Sequence, residues 1–214
     1  MQKSTVPFLL TSVLALLLLV SCATPAVVKD YNTVVLDKKV YQNPYFANPE
    51  IDYVYKANIT VYGNELTGIF IAKKINDTTH RVVFTTEFGN KLLDFEISEI
   101  DFKINSIVDE LNKKILINTL KTDFRLLLKT NFLVDEQFEK DSSKVYKSKD
   151  EGNKVNYLFV STADEKLQQI VHASRTKEKI KLRFTSENNI FAQNIIIQHY
   201  NIKLQIELNY FNQN

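Results

Sequence analysis

Apolar and polar side chains alternate with a period of two along much of this sequence, and this pattern restricts the fold more than any other feature. It is clearest near the C-terminus. The apolar positions there are Ile202, Leu204, Ile206, Leu208 and Tyr210, and the polar positions between them are Lys203, Gln205, Glu207 and Asn209. Successive side chains of a strand lie on opposite faces, so the pattern predicts a strand with one dry face and one wet face. Similar alternation occurs at 59–61, 93–97, 100–104, 180–184 and 195–197.

Short turn signals separate these segments. They are Gly63-Asn64, Asn76-Asp77, Gly89-Asn90, Gly152-Asn153 and Asn188-Asn189. Gly and Asn accept the positive φ that tight hairpins need. The four prolines all precede residue 51, so the rest of the chain lacks the residue that most disrupts a sheet. The sequence therefore predicts an antiparallel meander of closely spaced strands.

One segment, residues 109–130, has a helical period instead. Its apolar positions recur every three or four residues, at Leu116, Leu120, Phe124, Leu127 and Leu128. This spacing predicts an amphipathic helix. A single helix in a sheet protein needs an apolar surface to cover, and we expect that surface to be the concave face of a curved sheet.

The only cysteine, Cys22, directly follows an apolar segment that has no charged residue between Ser4 and Ser21. A single thiol excludes an intrachain disulfide and a zinc site made of several cysteines. The basic Lys3, the short apolar core and the small residues before Cys22 are typical of a secretory signal. We therefore expect residues 1–21 to be a signal peptide.

Leu19-Val20-Ser21-Cys22 resembles the lipobox of bacterial lipoproteins. The resemblance implies cleavage before Cys22, diacylation of its sulfur and acylation of the new amino terminus. Each buried methylene contributes about 0.8 kcal/mol, and two or three chains hold a protein on a bilayer where one does not. The alternatives are an ordinary cleaved signal, or an uncleaved anchor that contains a buried cysteine.

The remaining chain divides at the last proline. Residues 22–50 are predicted to be the lipidated N-terminus and a tether, which ends in extended segments around Tyr41 and Tyr45 that pack on the body. Residues 51–214 are predicted to be a single β-rich domain. The 27 basic and 25 acidic side chains nearly cancel, which gives no indication of nucleic-acid binding.

No pattern in the sequence nominates a catalytic or metal site. His80, His172 and His199 are scattered, no Gly-x-Ser-x-Gly motif is present, and the four glycines are never clustered. Asp94, Glu96, Glu99 and Asp101 alternate with apolar residues, and we expect them to form a solvated strand face. The sequence thus predicts a protein that is not an enzyme and has no cofactor or metal.

Large apolar side chains are abundant, and some are candidates to line a cavity for acyl chains between the sheet and the helix. The alternative is an ordinary packed core. The candidates are Ile69, Ile71, Phe84, Leu93, Phe95, Ile97, Leu120 and Phe124.

The order of these features is similar to that of the LolA/LolB-like superfamily of lipoprotein carriers and outer-membrane lipoprotein receptors. The resemblance covers the lipobox, the segments Leu66–Ile71, Arg81–Phe84 and Leu92–Phe95, the turn Phe88-Gly89-Asn90 and the helix. It implies a strongly curved antiparallel sheet or incomplete β-barrel of about eleven strands, covered by one or more amphipathic helices. It also implies an apolar cavity for acyl chains, and it makes Phe88 a candidate membrane-contacting tip.

The leading hypothesis is a lipoprotein of the cell envelope, anchored in the outer membrane by Cys22 and facing the periplasm. It would bind lipid or the acyl chains of lipoproteins, with a role in lipoprotein sorting. The alternative is a tethered assembly factor that binds a protein partner through an edge strand, without a lipid cavity. A hydrolase is the least supported class, because no nucleophile or metal site is indicated.

Overall fold

Fourteen β-strands and one α-helix form the secondary structure in a computed structural model that describes residues 26–174 and 177–211. The helix, α1, spans Lys114–Leu128, and a 3-10 turn spans Ala26–Val28. The strands are β1 Asn32–Val34, β2 Val40–Gln42, β3 Asp52–Val61, β4 Asn64–Lys74, β5 His80–Thr85, β6 Lys91–Ile97, β7 Phe102–Ile107, β8 Asn131–Lys140, β9 Ser143–Lys149, β10 Lys154–Ser161, β11 Leu167–Ser174, β12 Lys177–Thr185, β13 Asn194–His199 and β14 Leu204–Tyr210. The predicted signal peptide and Cys22 lie outside the described residues.

All strands belong to one antiparallel, curved and unclosed sheet with the order β1-β8-β9-β10-β11-β12-β13-β14-β3-β4-β5-β6-β7, in which β2 also pairs with β8. Most neighbours are consecutive hairpins, and β14 joins the two runs by pairing with β3. This confirms the predicted fold class. The helix prediction is also confirmed, and α1 connects β7 at one edge of the sheet to β8 near the other.

Three of the predicted turns have the expected backbone. Gly63, Gly89 and Gly152 all have positive φ and lie between paired strands. The strand count of 14 exceeds the expected eleven. The excess includes β1 and β2, which come from the part of the chain predicted to be a tether.

The predicted tether was expected to pack on the body only around Tyr41 and Tyr45, whereas residues 26–50 as a whole belong to the folded body. β1 and β2 pair with β8, and Val28, Tyr45 and Phe46 are fully buried. The side chains of a flexible tether would remain exposed to solvent, whereas these three side chains belong to the core. The folded part of the described chain therefore includes residues 26–50 as well as those from residue 51 onward.

One face of the sheet, which we call the concave face, carries most of the core. Register places Phe184, Ile195, Leu208, Ala57 and Gly68 side by side across five strands. A second row contains Tyr210, Tyr55, Phe70, Phe84 and Leu93. A glycine is needed at position 68, at the end of the first row, because a Cβ there would lie 2.1 Å from the Thr85 carbonyl oxygen and 2.9 Å from the Phe84 ring.

A smaller core lies on the opposite face, across β8 to β11. It consists of Val28, Phe138, Val145, Tyr157, Val171 and Ala173. Tyr31 packs edge-on against Phe159 at its margin, with ring centroids 6.0 Å apart. The first described residues thus cover apolar side chains on the outside of the sheet. Within the described ranges, no helix has the length and apolarity required to cross a bilayer.

Candidate functional site

The apolar side of α1 lies on the concave face and brings together most of the predicted cavity residues. Phe84, Leu93, Phe95, Ile97, Leu120 and Phe124 all belong to the main core and are almost fully buried. The rings of Phe124 on α1 and Phe70 on β4 lie 5.3 Å apart, within the range of a favourable aromatic pair. The helix therefore rests directly on the sheet, and its side chains fill the concave face that it covers.

Two predicted cavity residues lie elsewhere, and that prediction is corrected. Ile69 and Ile71 are half-buried and flank Phe70, which is buried. Neighbouring residues of a strand point to opposite faces, so Ile69 and Ile71 lie on the outer face and Phe70 on the concave face. Cross-strand register agrees, because Phe70 is opposite Phe84 and Ile71 is opposite Val83. Phe70 lies on the concave face but was not among the predicted cavity residues.

Residues 43–48, which we call the plug, fill a second part of the concave face. This segment links β2 to β3 and contains the fully buried Tyr45 and Phe46. The Tyr45 ring lies 5.1 Å from that of Phe184, and the Phe46 ring lies 4.9 Å from that of Tyr53. Protein side chains therefore occupy the concave face from two directions, α1 and the plug.

A buried polar contact joins α1 to the sheet. Nε2 of His199 on β13 lies 2.9 Å from Oδ1 and 3.0 Å from Oδ2 of Asp123. The Asp123 side chain has no solvent exposure, and this burial raises the pKa of its carboxyl group. With Nε2–H donating to the carboxylate, Nδ1 of His199 is buried without a hydrogen-bond partner among the described residues. No sequence pattern indicates this pair, because Asp123 and His199 are distant along the chain.

A cavity of about 320 Å³ opens beside the C-terminal half of α1. Its apolar wall includes Ile97, Phe124 and Leu128, and its polar wall includes His80 and Lys129. Nε2 of His80 donates to the carbonyl oxygen of Phe46 at 2.8 Å, which connects this wall to the plug. Ligand pockets typically begin near 300 Å³, so the cavity has room for part of an acyl chain.

The turn between β6 and β7 closes over the same half of α1. Arg125 donates from Nε to the Ser98 carbonyl oxygen at 3.0 Å, and Nζ of Lys129 lies 3.0 Å from a carboxylate oxygen of Glu99. Ile100 at the tip of this turn is 85% exposed. The rim of the cavity therefore carries both charged groups and one exposed aliphatic side chain.

Phe88, the predicted membrane-contacting tip, is 94% exposed. It lies in the turn between β5 and β6, which is closed by a bond from the Thr86 amide to the Asn90 carbonyl oxygen at 2.9 Å. Gly89 follows with φ of 84°, a conformation suited to glycine. The turn thus presents an aromatic ring to solvent on a well-defined backbone.

The acidic residues differ from the expected solvated strand face in two ways. Glu99 and Asp101 lie outside the strands, in the turn between β6 and β7. Asp94 is buried on the outer face, where it accepts from Arg81 at 2.9 Å and from Lys91 at 2.9 Å. These cations and Asn105 hold the pKa of its carboxyl group well below its usual range. Asp94 is therefore an ion-paired structural residue. The described residues contain no group of three His, Cys, Asp or Glu side chains arranged to hold a metal ion.

No family model matches the sequence, and no curated protein matches it. Solved structures do match the fold. A LolA superfamily protein from Nitrosomonas europaea aligns with a TM-score of 0.52 at 10% identity, over 78% of this chain and 87% of that one.

Two other solved structures align more loosely. A DUF1329 family protein from Desulfovibrio piger has a TM-score of 0.43 at 12% identity, over 75% of this chain and 84% of its own. An outer membrane lipoprotein-sorting protein domain from Vibrio parahaemolyticus has a TM-score of 0.44 at 8% identity, over 75% and 83% of the two chains. At such identities the likeness to the Nitrosomonas protein establishes the fold alone.

Proposed function

We propose that this protein is a non-enzymatic lipoprotein of the cell envelope that binds acyl chains on its concave face beneath α1. The observation that carries the proposal is that α1 connects the two edge regions of an unclosed sheet and covers its aromatic concave face. Such a face offers dry walls to a hydrocarbon chain that water rejects. The likeness in fold to a LolA superfamily protein supports the same proposal.

Uptake of a chain on this face requires protein side chains to make room. The Phe70 and Phe124 rings are in contact, so α1 has to move away from the sheet before a chain can lie between them. The cavity beside Ile97, Phe124 and Leu128 is the natural entrance, since it already exposes the seam between helix and sheet. When a chain enters, contacts between the two rings are lost and contacts between the rings and the methylene groups of the chain form. The apolar face therefore stays covered.

Acylated Cys22 is the proposed anchor, in the outer membrane and facing the periplasm. Only residues 23–25 separate Cys22 from Ala26, and four residues of extended chain span at most about 14 Å. Because Val28 packs into the outer core, this short link would hold that side of the domain close to the bilayer. The proposed body is one domain, from residue 26 to the C-terminus.

Phe88 is the proposed second contact with lipid. An exposed aromatic ring on a short turn is favoured at the boundary between headgroups and hydrocarbon, where aromatic side chains accumulate. We propose that the tip brings the acyl site to a membrane surface.

Titration of a fluorescent long-chain fatty acid into the chain 23–214 tests acyl binding. This form keeps every described element, and its fold is checked by circular dichroism. We expect saturable binding that unlabelled fatty acid reverses. Phe70→Ala should weaken this binding, whereas Ile71→Ala, one residue away on the outer face, should not. A folded protein without saturable binding, or equal effects of the two variants, would contradict the proposal.

A second function is favoured by one observation, the exposure of β7. This strand ends the sheet order among the described residues, and Lys103, Ile104, Asn105 and Ser106 are all exposed along it. Unpaired backbone groups of such an edge add a strand from another chain. In this candidate function the domain is an assembly factor. Crosslinking in cells distinguishes acyl binding from this second function. A protein neighbour that is crosslinked in stoichiometric amounts, without bound lipid, favours the assembly factor.

A further inference from the structure

The plug, residues 43–48, has the position and composition of a ligand of the concave face. Tyr45 and Phe46 are fully buried there, although the segment itself is a loop between β2 and β3. Tyr45 packs on Phe184, and Phe46 packs on Tyr53 and Tyr55, with ring centroids 4.9 to 5.8 Å apart. Adjacent aromatic side chains of one loop thus fill space between strands that are distant in the sheet order.

Single hydrogen bonds hold the plug in this position. The Tyr45 hydroxyl donates to the Leu167 carbonyl oxygen at 3.1 Å, and His80 Nε2 donates to the Phe46 carbonyl oxygen at 2.8 Å. The Asn48 amide donates to the Tyr53 hydroxyl at 3.1 Å. Between β2 and β3 the plug has no ladder of backbone hydrogen bonds such as those that bind the strands. Single contacts and the burial of two rings therefore hold the plug, without strand pairing.

The backbone conformation of Phe46 favours release of the plug. Its φ is 61°, in the left-handed region that a bulky side chain rarely adopts. Residues held in such conformations persist only where their surroundings impose them, and they cluster at switch and binding regions. Release of the plug would relieve this strain.

We infer that the plug is a built-in substitute for the acyl ligand, and that an acyl chain binds by displacing Tyr45 and Phe46 from the concave face. The inference rests on the proposed function and assigns its site. The chain lies against Phe184, Tyr53 and Tyr55, which the plug covers in the unliganded protein. With the plug in place, the apolar face stays covered while no lipid is bound.

The plug is also attached to the end of α1. The Asn43 amide donates to the Thr130 carbonyl oxygen at 2.8 Å, and its side-chain Nδ2 donates to the Lys129 carbonyl oxygen at 3.1 Å. Thr130 and Lys129 form the link from α1 to β8. Displacement of the plug therefore loosens the segment that fixes the C-terminus of the helix, and the two covers of the concave face open together.

The first experiment weakens the plug and measures affinity for the fluorescent fatty acid. Phe46→Gly removes the ring and accepts the positive φ. We expect it to bind roughly tenfold more tightly than the wild type, because less apolar contact has to be given up. The matched control is Phe138→Ala, which removes an equally buried ring from the outer core and should leave the affinity within about threefold.

The second experiment follows the plug directly. The protein has no tryptophan, so Tyr45→Trp introduces a single reporter into the plug. Saturating fatty acid should shift its emission to longer wavelength as the ring moves into water. Tyr53→Trp places the same reporter in the wall, which stays covered by the acyl chain, and its emission should not shift in that direction.

The outcomes separate this inference from the proposed function. If the wild type binds fatty acid while the reporter at position 45 stays in place, or Phe46→Gly binds no more tightly, the inference fails and acyl binding stands. If only Phe46→Gly binds, the wild type does not release the plug, so displacement of the plug by an acyl chain and acyl binding by the wild type are both contradicted. If neither protein binds while both are folded, the inference and the proposed function fail together.

Discussion

The imidazole of His199 and the carboxylate of Asp123 meet at 2.9 Å in the interior, where the helix crosses the middle of the sheet. A carboxylate removed from water is costly unless a partner compensates it. Here the imidazole donates one hydrogen bond, and burial raises the pKa of the Asp123 carboxyl group. The contact is specific but costly, which suits the proposed movement of the helix away from the sheet.

We predict that breaking this pair from one side is much worse than removing both groups. His199→Leu leaves a buried carboxylate without its donor and should cost about 3–5 kcal/mol. The double variant Asp123→Leu/His199→Leu should lie within about 1 kcal/mol of the wild type, because no charge is then buried. Urea unfolding at neutral pH measures both free energies. Additive losses in the double variant would contradict the account.

The pH dependence of the Asp123 contribution follows from the raised pKa. Between the usual value of 3.8 and the raised value, the folded state binds more protons than the unfolded state. Stability from this group therefore falls as pH rises through that window. The cost of His199→Leu in unfolding free energy should become smaller as the pH is lowered between these two values, because the unpaired Asp123 carboxyl group becomes protonated.

The contribution of His80 and His172 to stability has a pH dependence of the opposite sign, at higher pH. Burial lowers the pKa of each imidazole below 6.5, so the unfolded chain takes up protons first on acidification. Their stabilising contribution is complete above about pH 6.5 and is lost as pH falls through the lowered values. Unfolding free energies measured across this range should fall less steeply in His80→Gln/His172→Gln than in the wild type. An unchanged slope would show that these imidazoles are not responsible.

Asp94 should be the most sensitive carboxylate of the outer face. Asp94→Asn weakens the contacts with Arg81 and Lys91 and should cost about 2 kcal/mol at neutral pH. The matched control is Glu96→Gln on the same strand face, which should cost less than about 1 kcal/mol because Glu96 is more exposed. Because the pKa of Asp94 is lowered, its contribution is present above pH 3.8 and is lost on acidification below that value. Equal costs for Asp94→Asn and Glu96→Gln would contradict this assignment.

Phe88→Glu should weaken binding of the chain 23–214 to lipid vesicles, because it replaces an exposed ring by a charge at the proposed contact. The change should leave the unfolding free energy within about 0.5 kcal/mol, as is usual for exposed positions. Val35→Glu alters a side chain that is 91% exposed elsewhere and is the control. Vesicle flotation compares the three proteins, and equal effects of both variants would remove Phe88 from the membrane contact.

Period-two alternation predicted the fold well wherever one strand face is dry and the other wet. β14 is such a strand, and Gly63, Gly89 and Gly152 in the turns between other strands have the expected positive φ. The same signal failed at Ile69-Phe70-Ile71, because a run of apolar residues does not reveal which face is inward and a shift of one residue exchanges the faces. Val145 and Tyr146 are both buried, since each face of β9 is covered by a different core, and this hides alternation there.

The segment before residue 50 was assigned to a tether for a different reason. The prolines at 25, 44 and 49 and the irregular pattern between them are typical of a linker. Full burial of Tyr45 and Phe46 depends on walls supplied by strands far along the chain. The pairing of Asp123 with His199 is equally non-local, and an Asp on a helix predicts solvent exposure by default. Contacts of this kind become visible only when the sheet is assembled.

The most direct test of acyl binding on the concave face is to locate a bound chain. A long-chain fatty acid with a photoreactive diazirine near its methyl end is added to the chain 23–214, irradiated, and the attachment sites are mapped by peptide mass spectrometry. The account predicts attachment to concave residues such as Phe70, Phe124 and Phe184. Attachment confined to the outer face or to exposed turns, in a folded protein that binds the probe, would contradict it.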